Sequence, residues 1–564
     1  WSDKWHPMDY GREVDFGRGF FEQFEELKSS FPRCAILNGY NENAEYTNHG
    51  WKSKNCYLCI WFWDLEGCAY CSNAEHNRNC FDSDTIFDSE NCFENFNVSR
   101  CFDCQYVYFS EDITTSVGLF ECYNCSYCLG CVHLRNAKFQ IFNKQVSEKE
   151  FHLAFQELQN PINRADFMDK FQKLIAHSTR VSSKQISTED CTGSLLKNTK
   201  HCTYCFDCTN CQNVKYWFEL RDSKDCYDAY VWGETPSNVY EGHCITGFHI
   251  LFSNIVWGGQ SLIYCDQILE HNDHLFGCVG LRNASYCILN RQYTKEEYES
   301  LVPRIIEHMM KTGEWGEFFP SSLSPFGYNE TVAQEYFPLT REEVLASSLR
   351  GVEWNETTKQ SSVPLIPLAS ETSGSPHFVR DDEIKEDSDT FLHWPIFNWS
   401  DYESPFPKVD KIIPASKLPE DITKIPDDIL NWAIECEVTG KPFRIIPQEL
   451  EFYRKHHLPI PRRHPDQRHL DRMKMRNPRK LYERICDCPE CEINNKTSLS
   501  SFSSNENPFG TRERDSPTEN DKETVDAFAL NPRTRKRGKK MLTTYSPERP
   551  ERVYCEVCYE REVV

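Results

Sequence analysis

The stretch CYNCSYCLGC, residues 122–131, places four cysteines three positions apart, and CTYCFDCTNC, residues 202–211, repeats the spacing. Two readings compete. Thiolates sharing one zinc must converge on a point at about 2.3 Å per bond. Equivalent residues of stacked strands instead stay about 4.8 Å apart. The wider pattern favours stacking. Cys59, Cys80, Cys101 and Cys122 stand at intervals of 21, with Cys71, Cys92, Ile113 and Leu134 in a second register and Cys104 and Cys125 beginning a third. Cys205 and Cys226, and Cys244 and Cys265, repeat the interval. A period near 20 with short apolar runs such as YLCIWFW and HILFSNIVW suits a parallel β-solenoid of about 21 residues per coil. The cysteines then enter the interior as small apolar rungs. A metal site where the three-spaced runs crowd, and disulfides, stay open as alternatives. The ferredoxin spacing ends C-x₃-C-P; here the last gap has two residues and no proline follows Cys131 or Cys211.

Asn precedes Cys at 55–56, 79–80, 91–92, 124–125 and 210–211. Asn tolerates left-handed backbone and suits a turn. Residues 130–151 align without gaps on 277–298, which implies a duplicated solenoid. Each copy closes on a helix opened by a capping box, Ser147 with Glu150 and Thr294 with Glu297. Arg135 and Arg282, in the repeated LRN, read as guanidinium groups stacked on aromatic rungs.

The chain has 564 residues, 29 of them cysteine, 39% hydrophobic content and a net charge of −23. That acidity excludes general coating of nucleic acid and leaves only local basic patches for it. No apolar run approaches the roughly 18 residues that span a bilayer, and WSDKWHPMDYGRE lacks the order of a secretory signal. A cytoplasmic protein is expected, in which cysteines are ligands or packing residues more often than disulfides.

Cys488-x-x-Cys491 and Cys555-x-x-Cys558 form a paired knuckle for one Zn2+, with Cys486 as a substitute ligand. The 63 residues between Cys491 and Cys555 add little closure entropy. Basic residues Arg462, Arg463, Arg468, Arg472, Lys474, Arg476, Arg479 and Lys480 make a candidate contact for nucleic acid or another anion, or a counter-charge to the acidic solenoid. No catalytic motif stands out. Asp82, Asp84, Asp88 and Glu90, or Asp103 with Glu111, offer carboxylates for a carbohydrate-active enzyme, against turn-capping acids as the plainer account.

The segment CEVTGKPFRIIPQELEFYRKHHLPIPRRHPDQRH (436–469) resembles a bacterial zinc-ribbon module with the pattern CxxCGKxF, ExEFY, CxxCR. The resemblance puts the four metal positions on Cys436, Thr439, His464 and Gln467, of which only Cys436 and His464 are competent, so a degenerate ribbon held by packing is implied. WSDKWHPMDYGR, the Asn-Cys pairs, GEWGEFFPSSLSPFGYNETVAQEYFPLT and TTYSPERPERVYCEVCYEREV together resemble cysteine-rich zinc-ribbon proteins of candidate-phyla bacteria. The resemblance implies no particular activity, and it implies a further ribbon ahead of Trp1.

These signals set out an N-terminal segment 1–45, solenoid halves 46–146 and 190–293 with a helical insertion 147–189 between them, and a capping helix with an aromatic segment over 294–350. A Ser/Pro/acidic linker follows at 351–394, then the degenerate ribbon with its basic helix at 395–485 and a second ribbon at 486–564 interrupted at 492–540. The expected function is a binding or scaffold protein that docks on nucleic acid or a protein partner, away from any membrane. A solenoid carbohydrate enzyme is the alternative, and an iron–sulfur or redox protein a third reading.

Overall fold

The computed structural model describes residues 5–202, 205–209, 237–240, 243–349, 397–403, 405–491 and 539–563. Cys211, Cys226 and the 351–394 segment lie outside them, as does the 492–540 insertion up to residue 538. Cys244 lies in the strand His243–Leu251.

The strands step by 12 residues. Asn48 pairs in parallel with Ile60, Ile60 with Ser72, Ser72 with Asp84, and Asp84 with Phe96. The expectation of a mainly β, duplicated solenoid with about 21 residues per coil is therefore corrected. Helix amounts to 26% against 34% strand, and the strands divide among several separate sheets. Within the largest, Ser72–Arg78, Asp84–Phe87, Phe96–Phe120 and Glu90–Phe93 pair in a closed cycle, a four-strand parallel barrel.

The physical unit is a triplet. Asn55, Leu58, Trp61 and Asp64 adopt left-handed φ of 55, 48, 58 and 50°, and the residue after each, Cys56, Cys59, Phe62 and Leu65, is buried. Each left-handed residue bends the backbone and turns the next side chain inward. Asn and Asp recur at these bends because they tolerate αL best. Asn side chains also bond to each other one step apart, Asn43 to Asn55 at 3.1 Å and Asn124 to Asn136 at 2.7 Å.

Four triplets make one pairing step, so the interior has four columns of side chains. Cys56, Cys68, Cys80, Cys92 and Cys104 share one column; Cys59 and Cys71 begin the second. Seven triplets make 21, which explains why that interval emerged from the sequence without being the structural repeat. Cys59, Cys80, Cys101 and Cys122 fall one in each column. The run Cys122, Cys125, Cys128, Cys131 supplies one inward residue to every column, and all four are buried and free of disulfides. Space in a column is shared vertically: a Cβ at Gly50 would lie 1.9 Å from the Phe62 ring one step on.

Farther along, Gly193 pairs with Cys205, Ser237 with Phe248, Gln260 with Asp273 and Asp273 with Ser285, so the step varies between 11 and 13. Cys205 and Cys265 are buried in this core. Both capping boxes form: Ser147 and Glu150 open the helix Glu148–Glu157, and Thr294 and Glu297 open Lys295–Thr312. Arg135 lies 3.9 Å over the Tyr123 ring.

The chain forms two compact units. The first holds residues 1–176 and 184–479; the second holds 177–183 and 480–564. In the first, residues 413–460 pack an apolar core against Tyr70, Phe81 and Phe93, with Phe452 stacked on Phe81 at 4.2 Å. In the second, Tyr482–Ile485 pairs antiparallel with Lys540–Thr543, and Val553–Tyr554 pairs in parallel with Arg180–Val181. Among the described residues no helix is long and apolar enough to cross a membrane.

Candidate metal centre

Cys486, Cys491, Cys555 and Cys558 are buried, and their sulfurs all lie within 4.8 Å of one another. Three local devices bring them together. Cys486 follows the strand Tyr482–Ile485, and its amide donates to the Lys539 carbonyl at 3.0 Å. Cys491 ends a turn in which its amide donates to the carbonyl of Cys488 at 3.3 Å. Cys555 stands at the N-cap of the helix Glu556–Glu562, and Cys558 lies in its first turn. Asp487 fastens the segments by accepting from Val553 N–H at 3.0 Å and from Arg484 at 3.0 Å.

The donor set fits a soft or borderline metal ion. A tetrahedron with bonds of about 2.3 Å puts its sulfurs about 3.8 Å apart, so a small contraction closes the shell. Backbone amides already point at two of the sulfurs, Cys555 N–H to Cys486 Sγ at 3.2 Å and Lys539 N–H to Cys491 Sγ at 3.5 Å. Such donors favour the thiolate. Burial opposes the Cys491 thiolate, yet the Lys539 amide and neighbouring thiols outweigh it and bring its pKa below the ordinary value. Without an ion, burial pushes Cys486 up to about 11.

The paired spacing named Cys488 first and Cys486 as substitute; the structure gathers Cys486. Cys488 packs in the same buried cluster and touches Cys558, while its sulfur is also engaged from outside, donating to Glu562 Oε1 at 2.9 Å and accepting from Arg561 at 3.2 Å. The degenerate position behaves differently again. Cys436 accepts from Thr439 N–H at 3.5 Å in a turn that keeps Gly440 at φ 68°, while His464 Nδ1 caps the helix Pro465–Met473 by accepting from Asp466 N–H at 3.2 Å. Among the described residues, the 486/491/555/558 group alone brings three or more metal-type ligands together.

The basic residues find partners inside the chain. Arg468 is 6% exposed, ion-paired to Asp82 and bonded to Glu449 at 3.3 Å, with its guanidinium 4.4 Å over the Tyr70 ring. Arg472 reaches Asp82 at 3.3 Å and Glu94 at 3.5 Å, Arg476 reaches Asp84 at 3.1 Å, and Arg479 reaches Asp207 at 3.0 Å. Arg462 pairs with Glu420, Arg463 with Glu437 and Asp471, and Lys474 with Asp471. In the second unit Lys480 stands 5.3 Å over Tyr482.

Tyr70 and Tyr453 complete the buried network, donating to Glu449 at 2.8 and 2.7 Å. Charge counting did not reveal Glu449, Glu94 or the two tyrosines. The usable signal was the i,i+4 pairs Glu449/Tyr453 and Arg468/Arg472, each of which puts two polar groups on one helix face. Burial, with the Asp82 carboxylate added, outweighs the Arg472 guanidinium and pushes Glu94 up to about 7. Three of the other acids considered for hydrolysis also have partners. Asp88 lies 3.5 Å from His76, Asp103 lies 4.0 Å from His456, and Glu111 pairs with Arg100.

No protein family and no curated protein matches the chain. Among solved structures, a "putative acetyltransferase from Desulfovibrio desulfuricans G20" matches 50% of this chain and 83% of its own at 10% identity, with a TM-score of 0.10. That score supports neither a fold nor an activity for this chain.

Proposed function

We propose that the chain is a non-catalytic binding protein whose parallel sheet presents a rigid surface to a protein partner, and whose second unit is held together by one Zn2+. The observation that carries the reading is the internal neutralisation of charge. Of the carboxylates that glycoside hydrolysis would use, Asp82 and Asp84 are tied up by Arg468, Arg472 and Arg476 and Glu111 by Arg100, and the first three arginines are thereby withdrawn from phosphate. A hydrolase keeps two carboxyl groups roughly 5–9 Å apart facing a cleft, whereas Asp82 and Glu449 share one buried guanidinium. Zn2+ on Cys486, Cys491, Cys555 and Cys558 is a closed four-sulfur site, which is structural and leaves no position for substrate. The reading places the binding protein in the cytoplasm, where thiols stay reduced.

Three measurements on the full chain test this. Metal analysis after anaerobic purification is expected to give stoichiometric zinc. A polysaccharide panel is expected to release no reducing ends. RNA and DNA binding is expected to be weak, with a shallow dependence on salt. A steep salt slope, which marks several phosphate contacts, would return nucleic acid as the partner. Sugar release that disappears in Asp88→Asn or Asp103→Asn would return the enzyme reading.

A further inference from the structure

The column Cys56, Cys68, Cys80, Cys92, Cys104 sets five thiols in one orientation at successive steps. Each sulfur donates to the carbonyl two residues back. Cys56 bonds Lys54 at 3.4 Å, Cys68 bonds Glu66 at 3.5 Å, Cys80 bonds Arg78 at 3.4 Å, Cys92 bonds Glu90 at 3.4 Å and Cys104 bonds Phe102 at 3.2 Å. Each also reaches the carbonyl nine residues ahead, at 3.4–3.7 Å. Identical partners impose one side-chain orientation, so the sulfurs repeat at the strand spacing of about 4.8 Å. Cys59 and Cys71 stand beside the column with the same pair of bonds.

A straight row of sulfurs cannot close a tetrahedron, but it does place two sulfurs on opposite sides of one point, again and again. That is the demand of a two-coordinate thiophilic cation, and soft thiolates select Cu(I). The Cys80 amide donates to Cys68 Sγ at 3.4 Å, yet burial holds the Cys68 thiol well above its ordinary pKa, so its proton leaves only in exchange for a bound cation. The column ends at Ala44, which pairs with Cys56 and is partly buried, in a strand that also carries the exposed Glu42 and Glu45.

The geometry points to this column as a binding site for monovalent thiophilic cations, Cu(I) in particular, separate from the four-cysteine site of the second unit. Each entering ion forms S–Cu bonds to neighbouring Sγ atoms and displaces one thiol proton to solvent. No electron is exchanged and the buried row stays neutral, so an unpaired buried charge is avoided.

The test is anaerobic titration of the full chain with Cu(I) held by a chromophoric chelator, counting copper retained after desalting and following near-ultraviolet circular dichroism. It is run on the wild type, on Cys486→Ser/Cys491→Ser, which empties the second unit, and on Cys80→Ala/Cys92→Ala, which cuts the column. Several ions per chain are expected in the first two, with the dichroism retained. The third is expected to lose more than about half of them while keeping the wild-type dichroism, because the sulfur bridge is interrupted. The inference is overturned if no copper is retained, if it disappears with Cys486 and Cys491, if the third protein holds as much as the wild type, or if uptake abolishes the native dichroism.

Discussion

The cysteines of the parallel sheet and those of the second unit are the same residue in opposite geometries. In the sheet, a left-handed bend before each one fixes its direction, and the 12-residue step sets like residues in a row. In the second unit a strand end, a tight turn and a helix N-terminus bring four sulfurs to within 4.8 Å of one another. Rows are made by local backbone repetition, whereas convergence needs segments far apart in sequence. Cysteine content alone therefore says little about metal; the backbone that carries each sulfur decides.

The largest expected effect is on the converging set. Cys555→Ser should abolish bound zinc and open the second unit to protease while the near-ultraviolet dichroism of the parallel sheet persists, because in small metal modules binding energy of roughly 10 kcal/mol or more is folding energy. Metal analysis with limited proteolysis reads both. Cys488→Ser should leave the metal in place, and loss of zinc there would show that the paired C-x-x-C spacing, not Cys486, names the ligand.

Next in size is Arg468→Ala, which takes the guanidinium from Glu449 and leaves Asp82 its longer pair with Arg472, both carboxylates being fully buried. Removing one partner of a buried charge network costs about 3–5 kcal/mol, to be read from urea unfolding. A cost below about 1 kcal/mol, the range of exposed pairs, would mean that water reaches the network.

A pH effect follows from Glu94. Its folded pKa, about 7, stands above its ordinary value of 4.5, so the folded state holds this proton more tightly. The contribution is complete below the unfolded pKa and is lost as pH rises through the folded one. Stability should thus fall between about pH 4.5 and pH 7 by a component that Glu94→Gln removes. An unchanged pH profile in Glu94→Gln would rule this out.

The smallest change is Cys80→Ala in the metal-free chain. Loss of one buried sulfur from a packed column should cost about 1–2 kcal/mol, as measured by thermal unfolding. A collapse comparable to that of Cys555→Ser would erase the distinction between rows and convergence.

Much of this was readable from the residues, and the failures are instructive. Asn55, Asn79, Asn91 and Asn124 announced the left-handed bends, and Ser147 and Thr294 announced the helix starts. The step size was misread because 21 and 12 are both multiples of three. Cysteine marks the phase of the triplet at many positions, but Val, Ile, Leu, Ala, Phe, Ser and Asn fill the remaining inward places and hide the true repeat. For the candidate site the paired spacing found three of the four sulfurs. It ranks Cys488 above Cys486 because spacing does not show that Glu562 and Arg561 also engage the Cys488 sulfur, which stands beside Cys558. The arginines of 462–479 are visible as charge, while the pairing of Arg468, Arg472, Arg476 and Arg479 with Asp82, Asp84 and Asp207 depends on contacts between residues hundreds of positions apart.

The strand Arg180–Val181 belongs to the second unit, pairing with Val553–Tyr554 about 370 residues later. A gene fragment beginning at residue 480 would encode the thiols without that neighbour, leaving an unpaired sheet edge. During synthesis at roughly 5–20 residues per second, Arg180 waits on the order of 20–75 s for its partner to emerge. The second unit is completed only when a piece made about 370 residues earlier meets its partner strand.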